Sequence, residues 1–186
     1  MQPYERPYPL FSLCGLNCGL CPRYHTSGSS QCPGCGGPGF SDKHPSCTVL
    51  NCAKRHGGIT YCFQCTAYPC ERYTSPSSMD SFITYKHVIR DLEYARINGL
   101  QAYREKLDEK VEILKYLLEH CDDGRHKSRF CTAVNLLDLQ DLREIKEAVS
   151  HAAARRDADL TRTTDTWLDR YTDIRGVSLT LRKQKS

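Results

Sequence analysis

Cys14-Gly15-Leu16-Asn17-Cys18-Gly19-Leu20-Cys21-Pro22 sets the reading of the N-terminal region. Cys32-x2-Cys35, Cys47-x4-Cys52 and Cys62-x2-Cys65-x4-Cys70 follow it, so ten of the twelve cysteines fall between positions 14 and 70. Two thiolates three residues apart can face one tetrahedral ion from a tight turn, and the chain has three such C-x2-C pairs. Pro33-Gly34 lies inside one pair and Gly36-Gly37 follows it, which lets the backbone bend around an ion and aim N–H groups at the sulfurs. The expectation is a small cysteine-rich, metal-bound module, zinc-ribbon or knuckle-like, over residues 12–75.

Working outward, His44-x2-Cys47-x4-Cys52 repeats the spacing of Cys62-x2-Cys65-x4-Cys70. Imidazole is a normal zinc ligand, so His44 joins the candidates. The candidate metal ligands are Cys14, Cys18, Cys21, Cys32, Cys35, His44, Cys47, Cys52, Cys62, Cys65 and Cys70, enough for two or three zinc ions. One pairing that suits the spacing puts Cys18, Cys21, Cys32 and Cys35 on one ion and His44, Cys47, Cys62 and Cys65 on another. Cys14, Cys52 and Cys70 then share a third, completed by His25, His56 or water, and an exchangeable position there would be the place for metal-dependent catalysis. Folding points the same way. The large apolar residues between Cys14 and Cys70 form too thin a core to offset chain entropy, whereas a structural zinc contributes on the order of 10 kcal/mol in small zinc peptides.

Cys14-x3-Cys18-x2-Cys21 is also the spacing with which radical S-adenosylmethionine enzymes hold a [4Fe–4S] cluster, and Pro22 follows its last cysteine as in ferredoxins. Those enzymes need a barrel larger than this chain offers. The knuckle-like Cys32-Pro33-Gly34-Cys35-Gly36 and the interspersed histidines suit zinc. The expectation is therefore structural zinc, with an iron–sulfur protein serving redox or electron transfer as the alternative.

Three segments carry a resemblance: Cys14 to Pro22, Cys32-Pro33-Gly34-Cys35, and Tyr61-Cys62-Phe63-Gln64-Cys65-Thr66-Ala67-Tyr68-Pro69-Cys70-Glu71. They resemble the prokaryotic domain-of-unknown-function family 3795, whose pattern runs "CGLxCxxCPAY", "CxGC", a middle cysteine group and "CxxCxxYPCE". The likeness spans about residues 12 to 73 and includes the non-cysteine positions Gly15, Leu16, Pro22, Tyr24, Tyr68, Pro69 and Glu71. Where the family pattern often has another cysteine, this chain has His44. Longer members resemble it again at Asp123 to Ser128 and Cys131 to Leu137. The resemblance implies metal binding and a bacterial or archaeal source, and no activity.

Composition changes after this region. All nine prolines and nine of the twelve glycines precede Ser77, which suggests a boundary near Thr74-Ser75-Pro76-Ser77-Ser78 and a mainly α-helical second region over 78–186. Phe82, Tyr85, Ile89, Leu92 and Ala95 predict a helix from Ser78 to Asn98, ended by Gly99. Leu100, Tyr103, Leu107, Val111, Leu114, Leu118 and Cys121 predict an antiparallel partner running to His120. Phe130 to Leu137 reads as a short apolar segment. Asp138 or Asp141 caps a third helix carrying Leu142, Ile145, Val149 and Ala152. A last helix over about Leu160 to Arg175 buries Trp167, Leu168, Tyr171 and Ile174, before Gly176 and a strand-like tail from Val177 to Leu181. Cys121 reads as a small buried hydrophobe. Cys131 follows the basic loop Arg125-His126-Lys127-Ser128-Arg129 and reads as a core cysteine beside a solvated loop, since no catalytic partner is visible; a thiol activated by its positive neighbours, or an anion held by the loop, is the alternative.

Charge bounds the partners. Six Lys and Arg face three Asp and Glu up to Ser75, and twenty face nineteen afterwards. No patch is concentrated enough to favour nucleic acid, and Arg182-Lys183-Gln184-Lys185 reads as a solubilising tail. Neither a signal peptide nor an apolar membrane span is visible, which predicts a cytoplasmic protein whose reduced thiols bind metal rather than pair. With no catalytic constellation in sight, the expected role is a non-enzymatic metal-binding protein that meets a protein partner.

Overall fold

The computed structural model describes residues 4–44, 46–75, 79–155 and 158–183. The cysteine-rich region is organised by a segment that contains no cysteine, the irregular stretch 6–13. Its peptide groups reach three cysteine turns: Arg6 N–H donates to the Gly36 carbonyl (2.8 Å), Pro9 accepts from Cys35 (3.0 Å), Leu10 from Gly19 (3.0 Å) and Leu13 from Cys62 (2.9 Å). Phe11 and Leu13 on this segment are fully buried. The contact with Cys35 needs glycine beside it, because a Cβ on Gly34 would lie 2.6 Å from the Pro9 carbonyl oxygen and Gly34 has φ +79°.

The expected zinc ribbon does not form as a β structure, since the described residues contain no strand. The region consists of single 3₁₀ turns at Cys18–Leu20, Gly28–Ser30 and Cys62–Gln64 and of the short helices α1 (Phe40–Lys43), α2 (Thr48–Arg55) and α3 (Glu71–Thr74). Backbone donors that a ribbon would place in a ladder are taken by turns and by the 6–13 segment, and the prolines supply none. The tail from Val177 to Leu181 is likewise extended coil.

The second region holds α4 (Val88–Asn98), α5 (Leu100–His120), α6 (Lys127–Leu136), α7 (Leu139–Ala153) and α8 (Leu160–Arg175). Gly99, with φ +90°, separates α4 from α5 at the predicted place. α4 starts later than the periodicity predicts, and position 78, its predicted start, lies outside the described residues. The delay has a local cause: the Asp80 carboxylate accepts from Tyr85 N–H (2.9 Å) and from Arg182 (2.8 Å), folding 79–87 into a loop against the C-terminal tail. Ile83 turns inward, while Phe82 is 62 % exposed, and Ile89 also lies outside the buried face of Val88, Asp91, Leu92 and Ala95.

The predicted apolar segment after the basic loop is the innermost helix, α6, buried from Phe130 to Leu136. α7 follows Asp138 as expected, although the Asp138 side chain makes no cap bond. Asp141 is buried and holds Arg175 of α8 through two bonds (2.6 and 2.9 Å). On α8 the inward stripe is Thr164, Leu168, Tyr171 and Thr172. Trp167 is partly buried against it, and Ile174, off the stripe, is exposed. One apolar cluster runs from Phe11, Leu20, Tyr61 and Tyr73 through α4 to α8, so the cysteine region and the helices share a core. Phe11 is central, its ring 5.4 Å from that of Tyr61 and 4.4 Å from that of Tyr103 on α5.

Candidate metal centre

The cysteines meet partners from beyond their own C-x2-C pairs as well as within them. Cys18 has the thiols of Cys35, Cys14 and Cys21 around it, and the Cys35 N–H is directed at the Cys18 sulfur as well as at Pro9. Cys14 in turn faces Cys35 and Cys47. The donors around this inner group suit thiolates: Leu50 N–H donates to Cys47 Sγ (3.4 Å), Ser12 Oγ lies 3.2 Å from Cys14 Sγ, and the Tyr4 hydroxyl bonds the Cys35 thiol. Burial pushes the Cys14 thiol up and the Cys18 thiol well above the usual range, and each negative neighbour would push them further. Free of metal, these thiols are therefore neutral at pH 7, and ligation must displace their protons.

A second neighbourhood contains Cys62 with Cys14, Cys70 and Cys52 around it. Burial raises the Cys62 thiol to about 11. Tyr73, 5 % exposed on α3, bonds that thiol and donates to the Cys14 carbonyl (3.1 Å), tying the two neighbourhoods together. At the rim stand mixed pairs. Cys32 Sγ lies 3.4 Å from His44 Nε2, with Cys21 nearby, and Cys65 Sγ lies 3.6 Å from His56 Nδ1. His44 stacks on Phe40 (4.9 Å), and burial lowers its pKa, which keeps the imidazole neutral as a ligand requires.

Cys18 has Cys35, Cys14 and Cys21 around it and Cys21 has Cys32, so the four cysteines of the first expected set are linked neighbour to neighbour. His44 meets Cys32 rather than Cys47, and His56 meets Cys65. The N–H of Cys35 is fixed by Pro9 and that of Cys62 by Leu13, which anchors these two turns on the 6–13 segment. Among the described residues, the one group of three or more ligand atoms mutually within 4.8 Å is Asp122, Asp123 and His126, far from these cysteines in sequence. Its members are engaged with one another and with α8: His126 bonds Asp123 (2.7 Å) and Asp165 (3.1 Å).

Cys121 and Cys131 belong to the helices. Both are buried; burial raises the Cys121 thiol, which bonds Thr164, and pushes that of Cys131 to about 12. Cys131 is thus the core cysteine that the sequence suggests, and the alternative of an activated thiol fails because burial outweighs the cation Lys127. The anion-binding reading of the basic loop fails too. Arg129 is paired with Asp165 (2.9 Å) and Asp169, Arg125 with Asp123 (3.4 Å), and Lys127 donates to the His25 carbonyl (3.4 Å).

Sequence reasoning passed over Asn17, inside the first cysteine motif. It is 4 % exposed and donates to Asp91 of α4 (2.8 Å) and Asn135 of α6 (3.0 Å), while accepting from Tyr103 of α5 (2.7 Å). Beside it Lys110, its pKa lowered by burial to about 8, donates to the Val134 and Leu137 carbonyls at the end of α6. A small void of about 10 Å³ lies among Asn17, Asp91, Tyr103 and Lys110. A polar residue between two cysteines of a buried turn was the available signal.

Residues 10–75 match the family model described as protein of unknown function (DUF3795). No curated protein and no solved structure matches the chain. No helix among the described residues is long and apolar enough to cross a membrane.

Proposed function

Taking the DUF3795 match over residues 10–75 as premise, we propose that this region is a metal-binding module whose thiolate-bound metal is structural and on which the helices pack. One observation carries the reading. The ten cysteines between positions 14 and 70 are free thiols, and N–H and O–H donors are directed at several of their sulfurs, those of Cys18, Cys35 and Cys47 among them. Such donors stabilise thiolate, the form that binds metal. The role is not catalytic: burial holds the inner thiols protonated without metal, and the basic loop is spent on carboxylates.

Zinc suits the rim. With Zn–S about 2.3 Å and Zn–N about 2.0–2.1 Å, two ligands of a tetrahedral ion stand roughly 3.6 Å apart. Cys32/His44 and Cys65/His56 have separations of 3.4 and 3.6 Å.

Elemental analysis of protein purified without oxygen tests the proposal, followed by chelation monitored by circular dichroism and thiol titration. Metal should be bound stoichiometrically, and its removal should expose the thiols of residues 14–70 and abolish part of the ordered structure. Metal-free protein with the same spectrum and the same thiol protection would overturn it.

A further inference from the structure

Between α5 and α6 the chain turns through Asp122-Asp123-Gly124-Arg125-His126. The turn is closed on itself: Asp122 accepts from the Gly124 and His126 N–H groups (3.0 and 2.9 Å), and Asp123 accepts from that of Arg125 (3.0 Å). His126 is thereby held between carboxylates of two different elements. Its Nδ1 lies 2.7 Å from Asp123 of the turn and its Nε2 lies 3.1 Å from Asp165 of α8. An ionised carboxylate can only accept, and a neutral imidazole has a single N–H, so both contacts are hydrogen bonds only when the ring carries both protons. With one proton gone, a nitrogen lone pair faces a carboxylate.

The charged groups around the ring are Asp122, Asp123 and Arg125 of the turn, Lys127 and Arg129 of α6, and Asp159, Arg162, Asp165 and Asp169 of α8 and its N-cap. Among these cations only the imidazolium titrates near neutrality. A cleft of about 440 Å³ opens here, lined by Asp123, Asp159, Asp165 and Asp169 together with His126 and Arg162. Loss of the His126 proton leaves those four carboxylates against Arg162 and against Arg129, which Asp165 and Asp169 already share. α8 is fastened at its other end by Arg175, paired with Asp141 of α7. Its first turns hold the end of α5, where Thr161 donates to the Cys121 carbonyl (2.6 Å).

We propose that His126 is a proton-operated latch: protonated, it clamps the N-terminal half of α8 onto the turn before α6, and deprotonated, it releases that half while Arg175 keeps the C-terminal half in place. The direction of the response follows from its partners. The bond to Asp123 and the charge of Asp165 raise the His126 pKa above its ordinary 6.5. The clamp is therefore complete below pH 6.5 and is lost as pH rises through the raised value. The His126 and Asp165 side chains are 25 % and 27 % exposed, and solvent limits such a pair to a change of about twofold to fivefold in opening.

The test uses the full chain and two readouts. Proton–carbon NMR of the imidazole rings, with the His126 signal assigned from its loss in His126→Gln, should give a titration midpoint above 6.5 that falls in Asp165→Asn. Hydrogen exchange read by mass spectrometry between pH 6 and 9, corrected for the exchange of free amides, should show protection of residues 160–166 falling about twofold to fivefold through that midpoint. Residues 169–175 should not follow it. In His126→Gln the protection of residues 160–166 should be low at pH 6 and should not respond to the midpoint. A midpoint at or below 6.5 overturns the latch. So does a raised midpoint with the same pH profile of protection in wild type and His126→Gln.

Discussion

Replacement of Asn17 measures how tightly the first cysteine motif is coupled to the helices. Asn17→Ala removes three bonds, to Asp91, Asn135 and Tyr103. A buried hydrogen bond contributes about 1 kcal/mol net, and one to a charged carboxylate about 1.5–3 kcal/mol, which gives a gross loss of roughly 4 kcal/mol. Two features reduce it. The Tyr103 hydroxyl is within reach of Asp91 as an alternative acceptor, and the adjoining void of about 10 Å³, enlarged by the lost amide, admits a water that can bridge Asp91 and Asn135. The expected cost is about 2–3 kcal/mol. Asn17→Asp has nearly the same shape but sets a second carboxylate against Asp91, and like charges in a buried site are not relieved by a bridging water. It should cost more than Asn17→Ala and lose part of its penalty in acid. Urea unfolding of the protein as purified, followed by the fluorescence of Trp167, reads the coupling because the reporter sits on α8, whereas Asn17 bonds α4, α5 and α6. An Asn17→Ala cost below about 1 kcal/mol, or an Asn17→Asp variant as stable as Asn17→Ala at pH 7, would refute the reasoning.

Other perturbations separate the remaining contributions. Arg182 and the Tyr85 N–H hold the Asp80 carboxyl at about 2, below its ordinary 3.8, so its contribution is present above pH 4 and lost as pH falls towards 2. Asp80→Asn should therefore cost at most about 2 kcal/mol at pH 7, less for the solvent around the partly exposed Arg182, and the gap from wild type should close in acid; a pH-independent gap would rule this out. Arg129→Ala leaves Asp165 and Asp169 facing each other and should cost about 1 kcal/mol, whereas Arg125→Ala, at an 86 % exposed side chain, should cost less than about 0.5 kcal/mol; equal costs in thermal melts would contradict the pairing described. In the native protein at pH 8, iodoacetamide should leave Cys121 and Cys131 unmodified because both are buried and their thiols are raised, and alkylation as fast as that of free cysteine would show the site to be open.

Which parts of this molecule were legible in its sequence follows from which forces leave a periodic trace. α5 and α8 were placed to the residue because a long helix that buries one stripe must repeat its apolar residues, and because Gly99 and Gly176 carry the positive φ that ends or separates helices. The start of α4 was missed because it is set by a single carboxylate. Asp80 captures a tail about a hundred positions away, and that pairing has no local signature. Ile83 and Phe82 then exchange the roles that the stripe assigned them.

The cysteine-rich region was legible as a cluster of thiols and illegible as topology. C-x2-C spacing limits how far apart two thiols can be, but it does not say whether they face the same point. What orients them is the backbone of residues 6–13, whose carbonyls at Pro9, Leu10 and Leu13 receive Cys35, Gly19 and Cys62. Carbonyls are common to all residues, so this organiser was invisible except through its consequence that Gly34 can carry no side chain against Pro9. The same reasoning explains why Gly15 stands in the first motif: a Cβ there would lie 2.6 Å from Leu92 of α4. The glycines among these cysteines are therefore more than bends around a metal. Gly34 seats the second cysteine pair on its organiser and Gly15 seats the first on the helices, and Asn17 between Gly15 and Cys18 fixes that contact with hydrogen bonds. A motif that reads as a metal clasp is at the same time the surface by which the clasp is held to the rest of the protein. This double duty is why Asn17, which binds no metal, should weigh on stability as much as a buried apolar side chain.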